Sequence, residues 1–383
     1  MFSFEFATAN QIVFGAGKLN MLAEHLKGRG KRLLLVRGKS SDAIPRVRQI
    51  LSAQYIQSTE FEVHGEPTVD VINAGMELAR GCDTVIGLGG GSVLDTGKAI
   101  AILATNPGEV FDYLEVIGKG QKLTHESLPY IAIPTTAGTG TEVTRNAVIE
   151  SPAHGVKVSL RSPLMLPSLA LVDPELTFSL PPAVTASTGL DALTQLIEPF
   201  VSVKANPMTD AICHEGLRHA ARSLRRAYEN GGDQEAREGM SLASLFGGLA
   251  LANAKLGAVH GFAGPLGGML HAPHGTICAR LLPLVMETNL KALEARKPEY
   301  PVLARYTELA QILIGDPNAS ASEGVAWVSE LVSDLNIPML SEYGMGREHF
   351  PEALEKTTKS SSYKGNPISL TDAELRGILE RAL

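Results

Sequence analysis

The sequence predicts an α/β N-terminal domain built on a parallel sheet, residues 1–180, followed by an all-α domain, residues 181–383. Three observations predict it. Before residue 180, short β-branched or aliphatic runs alternate with amphipathic segments; beyond it, a 3.6-residue periodicity persists almost to Leu383; and 383 residues with 44% hydrophobic content suffice for two packed cores.

In chain order, "KRLLLVRG" reads as a strand, "SDAIPRVRQILSA" as a helix, "STEFEVHG" as a strand and "TVDVINAGMELARG" as a helix. "DTVIGLGGGS" and "LPYIAIPTTAG" are further strands, with the helix "VLDTGKAIAILATN" between them. Helices of this length between strands imply crossover connections and a parallel sheet covered on both faces. Pro181 and Pro182 suit the first turn of a helix and mark the domain junction.

Formal charge is −7, with no long run of either sign, so neither a nucleic-acid footprint nor a polybasic membrane patch is expected, and the partners are small molecules. The N-terminal stretch lacks a basic segment and carries Glu5 where a signal peptide would be apolar. "SLFGGLALANAKLGAV" is broken by Asn253 and Lys255 and reads as a buried helix rather than a membrane span. Cys82, Cys213 and Cys278 are odd in number and widely spaced, which predicts free thiols in a reducing cytoplasm; none has C-x-x-C spacing, so cysteine-bound zinc is not expected.

Three motifs carry chemistry. "GLGGGSVLDTGKA", residues 87–99, ends a strand and opens a helix, where glycines admit close backbone approach and the helix N-terminus favours a phosphate. Its spacing is neither G-x-G-x-x-G nor a P-loop, so taken alone a tight turn fits as well as a pyrophosphate site. "PTTAGTGTEVT", residues 134–144, is a hydroxyl-rich loop at the carboxyl end of a strand, where open parallel sheets bind ligands; a self-satisfied Thr/Gly turn fits equally. In the third, Asp191 and Gln195 of "GLDALTQLIEP" share one helix face, while "AVHGFAGPLGGMLHAPHG" supplies His260, His271 and His274. A lone histidine is usually a hydrogen-bonded core residue, but several in one glycine-rich segment together with Asp191 point to a mixed N/O divalent-metal site.

These motifs, in this order, with "LVDPEL" at 171–176 and "NP" at 366–367, resemble the iron-containing, or group III, alcohol dehydrogenase family nearly end to end. The resemblance implies the dehydroquinate synthase-like architecture, with NAD or NADP in a cleft between the two domains and a divalent metal, Fe2+ or Zn2+, beside the nicotinamide. It implies cofactor contacts at Gly89, Gly90, Gly91, Ser92, Asp95, Thr135, Thr136, Thr139, Thr144 and Lys157, with Asp95 also near the reacting end. It implies metal ligands Asp191, His260 and His274, with Gln195 where many members have histidine. Another family histidine is replaced by Gly264, and His271 is the candidate proton relay. The expected reaction is hydride transfer between a small alcohol or aldehyde and the nicotinamide, the metal acting as a Lewis acid on the substrate oxygen.

No aspartate stands near Gly38, where NAD-specific relatives often have one. Arg37, Lys39, Ser40 and Ser41 could instead accommodate a 2′-phosphate, so NADP is expected to be accepted; solvated strand-end charges are the other reading. Phe246, Phe262 and Leu266 are candidate pocket residues. The N-terminal "FEFATANQIVFG" reads as an edge strand or hairpin able to pair with a second subunit, which predicts a homodimer. Two other readings remain: a metal-independent enzyme resembling the maleylacetate reductases, favoured by Gln195, and a nucleotide-binding protein without catalysis.

Overall fold

The structure, a computed structural model, describes residues 3–39, 41–115 and 117–383. The chain divides into two compact units, Ala7–Leu180 and Pro181–Leu383, with residues 3–6 grouped with the second.

The first unit runs β1 (Ile12–Phe14), α1 (Leu22–His25), β2 (Arg32–Arg37), α2 (Ala43–Ala53), β3 (Gln57–Glu62), α3 (Val69–Ala79), β4 (Thr84–Gly89), α4 (Gly91–Leu103), α5 (Val110–Tyr113), β5 (Tyr130–Pro134), β6 (Asn146–Ser151), β7 (Val156–Arg161) and β8 (Leu169–Val172). Six strands form one parallel sheet in the order β1-β8-β5-β4-β2-β3. Strand alternation sends Leu34, Val36, Val85 and Ala132 into one core and Leu33, Leu35, Ile86, Leu88, Ile131 and Ile133 into the other, so both faces are covered. The three-residue β1 lies at a sheet edge. Gly87 in β4 leaves room for the Tyr130 hydroxyl, which sits where a side chain would begin and donates to the Leu94 carbonyl at 2.8 Å. The antiparallel hairpin β6–β7, unforeseen from sequence, carries Lys157.

The second unit contains α6 (Pro182–Val201), α7 (Pro207–Glu229), α8 (Gln234–Asn253), α9 (Ala258–Leu270), α10 (His274–Arg296), α11 (Val302–Ile314), α12 (Ala321–Asp334), α13 (Phe350–Lys359) and α14 (Asp372–Ala382). Pro182 occupies the first turn of α6, as its missing N–H allows. The first turn of α10 presses closely on α6: a side chain on Gly275 would meet the Ser187 carbonyl oxygen at 2.5 Å, so only glycine fits. Among the described residues no single helix is long and apolar enough to cross a membrane; the pair α8 and α9 passes by composition but is bent by 97°.

Candidate active site

In the α/β unit, the glycine segment forms the strand-to-helix turn from β4 into α4, with Gly90 as N-cap and no acidic residue in the first turn. That leaves the first amides and the positive end of a 13-residue helix for an anion. The threonine loop lies against this turn. A side chain on Gly91 would meet Thr139 Cγ2 at 2.7 Å, and one on Gly90 would meet Thr136 Cγ2 at 3.3 Å. Thr135 donates its backbone N–H to Gly89 at 2.9 Å. Gly90, Gly91, Ser92, Thr135, Thr136 and Thr139 are all partly exposed, which gathers the two loops into one accessible cradle.

Asp95, Lys98 and Thr144 lie beneath it, fully inside. Asp95 accepts from the Thr141 hydroxyl (3.1 Å) and the Val148 amide (2.9 Å). Lys98 donates to the carbonyls of Thr141 (2.7 Å), Thr144 (3.0 Å) and Asn146 (2.9 Å) and to the Thr144 hydroxyl (2.9 Å). Burial lowers the Lys98 pKa to about 8, against the pull of Asp95 and Glu142, and raises that of Glu142 to about 7. These groups fasten the loop; Asp95 and Thr144 do not present themselves to its accessible side. Lys157 is paired with Glu66 at 3.3 Å.

At the end of β2, Gly38 is partly exposed, and Ser40 lies outside the described residues. Arg37 is not free: it donates to Glu60 (2.7 Å) and Glu62 (2.6 Å). Arg48 also donates to Glu60, and the two guanidiniums hold that carboxyl at about 2 despite partial burial. The sequence could not show this pairing, which takes Arg37 from the set expected to hold a 2′-phosphate.

In the helical unit, α6 presents Asp191, Gln195 and Glu198 on one face, α9 contributes His260, and the start of α10 contributes His274 and, one turn on, Cys278. One ligand atom each from Asp191, His260, His274 and Cys278 lie within 4.8 Å of one another. His260 Nε2 stands 3.4 Å and His274 Nε2 3.9 Å from Asp191 Oδ1, and Cys278 Sγ stands 3.6 Å from His274 Nε2. The other carboxylate oxygen, Asp191 Oδ2, accepts from Gln195 Nε2 at 3.0 Å. Glu198 accepts from His260 Nδ1 and from the Val259 amide, both at 2.7 Å, which fixes the imidazole with Nε2 turned to the cluster. Gly257 permits this, since a side chain there would meet Glu198 Oε1 at 2.7 Å. Asn366 of the "NP" pair caps α9 through the Ala258 amide.

Asp191 Oδ1, Gln195 Oε1 and His260 Nε2 are buried without a hydrogen-bond partner. Such atoms are rare in a finished interior, and the first and last are the carboxylate oxygen and imidazole nitrogen a divalent cation takes. Burial would raise the Asp191 pKa, yet His260 and His274 hold it below the usual carboxylate range. Burial likewise opposes charge on His274, but Cys278 and Asp191 outweigh it and push its pKa up to about 9. The cluster draws positive charge inward, and its donor set fits a divalent metal.

Of the expected ligands, Asp191, His260 and His274 come together. Gln195 donates its amide nitrogen to Asp191 Oδ2, and its own oxygen is buried without a hydrogen-bond partner. His271 is exposed and in the left-handed region (φ 50°) as C-cap of α9, outside the four-donor cluster. Sequence reasoning missed Glu198, three residues beyond Gln195 on the same helix face, and Cys278, four beyond His274; both spacings were available as signals. Phe262 and Leu266, expected near substrate, are fully buried core residues.

A glycine turn opening a helix in a parallel α/β unit and a buried carboxylate–imidazole cluster in a helical unit suit a dinucleotide-linked, metal-assisted oxidoreductase. Comparison with known proteins narrows the class. Residues 9–174 match the iron-containing alcohol dehydrogenase family and residues 185–383 its C-terminal family, so the chain belongs to the iron-containing alcohol dehydrogenases and acts on CH–OH groups. It is 36% identical over 379 residues to alcohol dehydrogenase 4 of Schizosaccharomyces pombe, covering 97% of this chain and 87% of that protein. A solved 1,3-propanediol oxidoreductase superposes with a TM-score of 0.92 at 33% identity, covering 100% of both chains. A sulfoacetaldehyde reductase from Bifidobacterium kashiwanohense, solved in complex with NAD+, gives 0.86 at 27% identity over 99% of this chain and 98% of that one.

Proposed function

We propose that this enzyme interconverts small alcohols and aldehydes with NAD as the preferred nicotinamide cofactor, assisted by a divalent cation held by Asp191 Oδ1, His260 Nε2 and His274 Nε2. The observation that carries this reading is the pair of orphaned buried atoms on Asp191 and His260, aimed into one donor cluster. When bound, the cation supplies Lewis acidity toward the substrate oxygen and the nicotinamide supplies hydride chemistry.

The chain's own residues bind and orient. Gly89, Gly90, Gly91 and Ser92 receive the pyrophosphate, and Thr135, Thr136 and Thr139 line the cradle's other side. Asp95, Lys98 and Thr144 act as positioning residues, and Lys157 with Glu66 steadies the hairpin. Gln195 and Glu198 orient Asp191 and His260. His271, exposed three residues before His274, is the candidate that moves a proton to solvent; full kcat in His271→Ala would remove that role. Gly264 lies one turn beyond His260 on the same face of α9, and a side chain there would meet nothing within 4 Å, which leaves space for a substrate's carbon chain.

NAD is preferred because Arg37 is occupied by two carboxylates, leaving Lys39 as the cation in the 37–41 segment for a 2′-phosphate. Free thiols and the lack of a membrane-length helix among the described residues support a cytoplasmic enzyme, and the edge position of β1 supports a homodimer. Light scattering tests the dimer. The central experiment measures metal content of anaerobically purified protein and oxidation of NADH and NADPH against an aldehyde panel, before and after chelation. Close to one metal per chain, chelator-sensitive turnover and faster oxidation of NADH are expected. Metal-free protein with full turnover would sink the metal role.

A further inference from the structure

We infer that Cys278 is a thiolate ligand that completes the metal site, so that the centre is an Asp-His-His-Cys set selecting zinc over iron. The inference rests on the metal reading above and goes beyond it.

The position that the family resemblance assigns to a fourth ligand holds Gln195, whose amide nitrogen is committed to Asp191 Oδ2. The fourth donor of the cluster comes from another helix: Cys278 is fully buried, and its sulfur stands 3.6 Å from His274 Nε2. Tetrahedral zinc with nitrogen and sulfur ligands places neighbouring donors roughly 3.3–3.6 Å apart. Three of the six donor–donor separations, 3.4, 3.6 and 3.9 Å, lie near that spacing, and all six are within 4.8 Å. Placement follows from the backbone. His274 opens α10 and Cys278 is one turn later on the same face, while Gly275 between them lets that turn close on α6 beside Asp191. Among the described residues, neither Cys82 nor Cys213 belongs to such a cluster.

Softness sets the consequence. Exchanging an oxygen or nitrogen donor for thiolate favours zinc over iron(II), whereas an all-N/O set does not discriminate this way. Glu198, 2.7 Å from His260 Nδ1, fixes the ring with Nε2 turned to the cluster.

The test uses the full-length protein, stripped of metal and reloaded with Co2+, then titrated in competition between Zn2+ and Fe2+ under anaerobic conditions. Wild type is expected to show an intense near-ultraviolet sulfur-to-cobalt charge-transfer band. Cys278→Ser should bind Co2+ without that band and lose zinc affinity by at least about 10-fold to 100-fold, the range seen for lesser disturbances of a metal site. Cys82→Ser and Cys213→Ser should keep the band. Wild-type protein that binds Co2+ without the band overturns the inference while leaving the metal site standing, and needs no variant to fold. Protein that binds neither Co2+ nor Zn2+ overturns both. A band that survives in Cys278→Ser assigns the sulfur elsewhere and overturns the inference alone.

Discussion

Each unit buries a small group of ionisable side chains, and the two groups are built differently. Around Lys98, the ammonium has four oxygen acceptors and both Asp95 oxygens are occupied. Around Asp191, three polar atoms are buried with no partner, although the burial is just as deep. A satisfied network fastens structure, because its charges are already compensated. An unsatisfied one of the right donor types lacks a component from outside the chain. Burial of charge alone does not distinguish the two groups; partnerless atoms gathered into one donor cluster do.

The comparison breaks most readily at Asp191. Asp191→Asn should abolish metal retention and lower kcat/KM by roughly 10^3-fold, several kcal/mol of lost stabilisation, with little change in cofactor affinity. Lys98→Met should do the reverse, destabilising the fold by about 3 kcal/mol in denaturant titration because Asp95 is left buried and uncompensated. Metal content should stay at the wild-type level in that variant. If Lys98→Met instead lost metal and kept its stability, the assignment of the two networks would be inverted.

Gly275→Ala probes how the metal cluster is assembled. Overpacking against the Ser187 carbonyl should cost about 2 kcal/mol and weaken zinc binding together, measured by thermal unfolding with and without chelator. Stability unchanged by the alanine would show that α10 does not depend on this close approach.

Glu142 sharpens the other side. Its folded pKa of about 7 lies above the ordinary 4.5 because of burial. Its contribution to stability is therefore fully present below pH 4.5 and lost as pH rises through about 7, on the order of 3 kcal/mol. Glu142→Gln should flatten that portion of the stability profile, and an unchanged slope would contradict it. The smallest effect belongs to Glu62→Gln. Freeing one arm of Arg37 should raise the NADPH-to-NADH ratio of kcat/KM by less than about tenfold, as a partly exposed ion pair warrants.

Much of the fold was legible because its signals are local. Strand and helix alternation, the glycine turn after β4, the threonine loop after β5 and the helix carrying Asp191 all follow from periodicity and from where turn residues fall. The β6–β7 hairpin was missed although each strand is six residues long and "VKVSLR" alternates apolar with polar residues as a half-covered strand does. Asp191, His260 and His274 were readable by residue type and motif order. Gln195 is expected at the site because it stands where the resembled family has a histidine, yet neither that nor helix-face spacing says which end of its amide meets Asp191; the structure shows the nitrogen doing so. Arg37 shows the same limit: its charge is written in the sequence, but its partners lie on β3, more than twenty residues away.

By itself, then, the sequence determined the two kinds of domain, the glycine turn after β4 and three of the four clustered donors, since these rest on local propensity and on motifs a few residues long. Tertiary structure alone decided that Cys278 joins Asp191, that Glu198 fixes the His260 ring, and that Asp95 turns inward. Those outcomes depend on how closely α10 and α9 approach α6, and how α4 seats the threonine loop. Such distances are set by packing between segments far apart in the chain, where a glycine such as Gly275 or Gly257 determines whether two helices can meet.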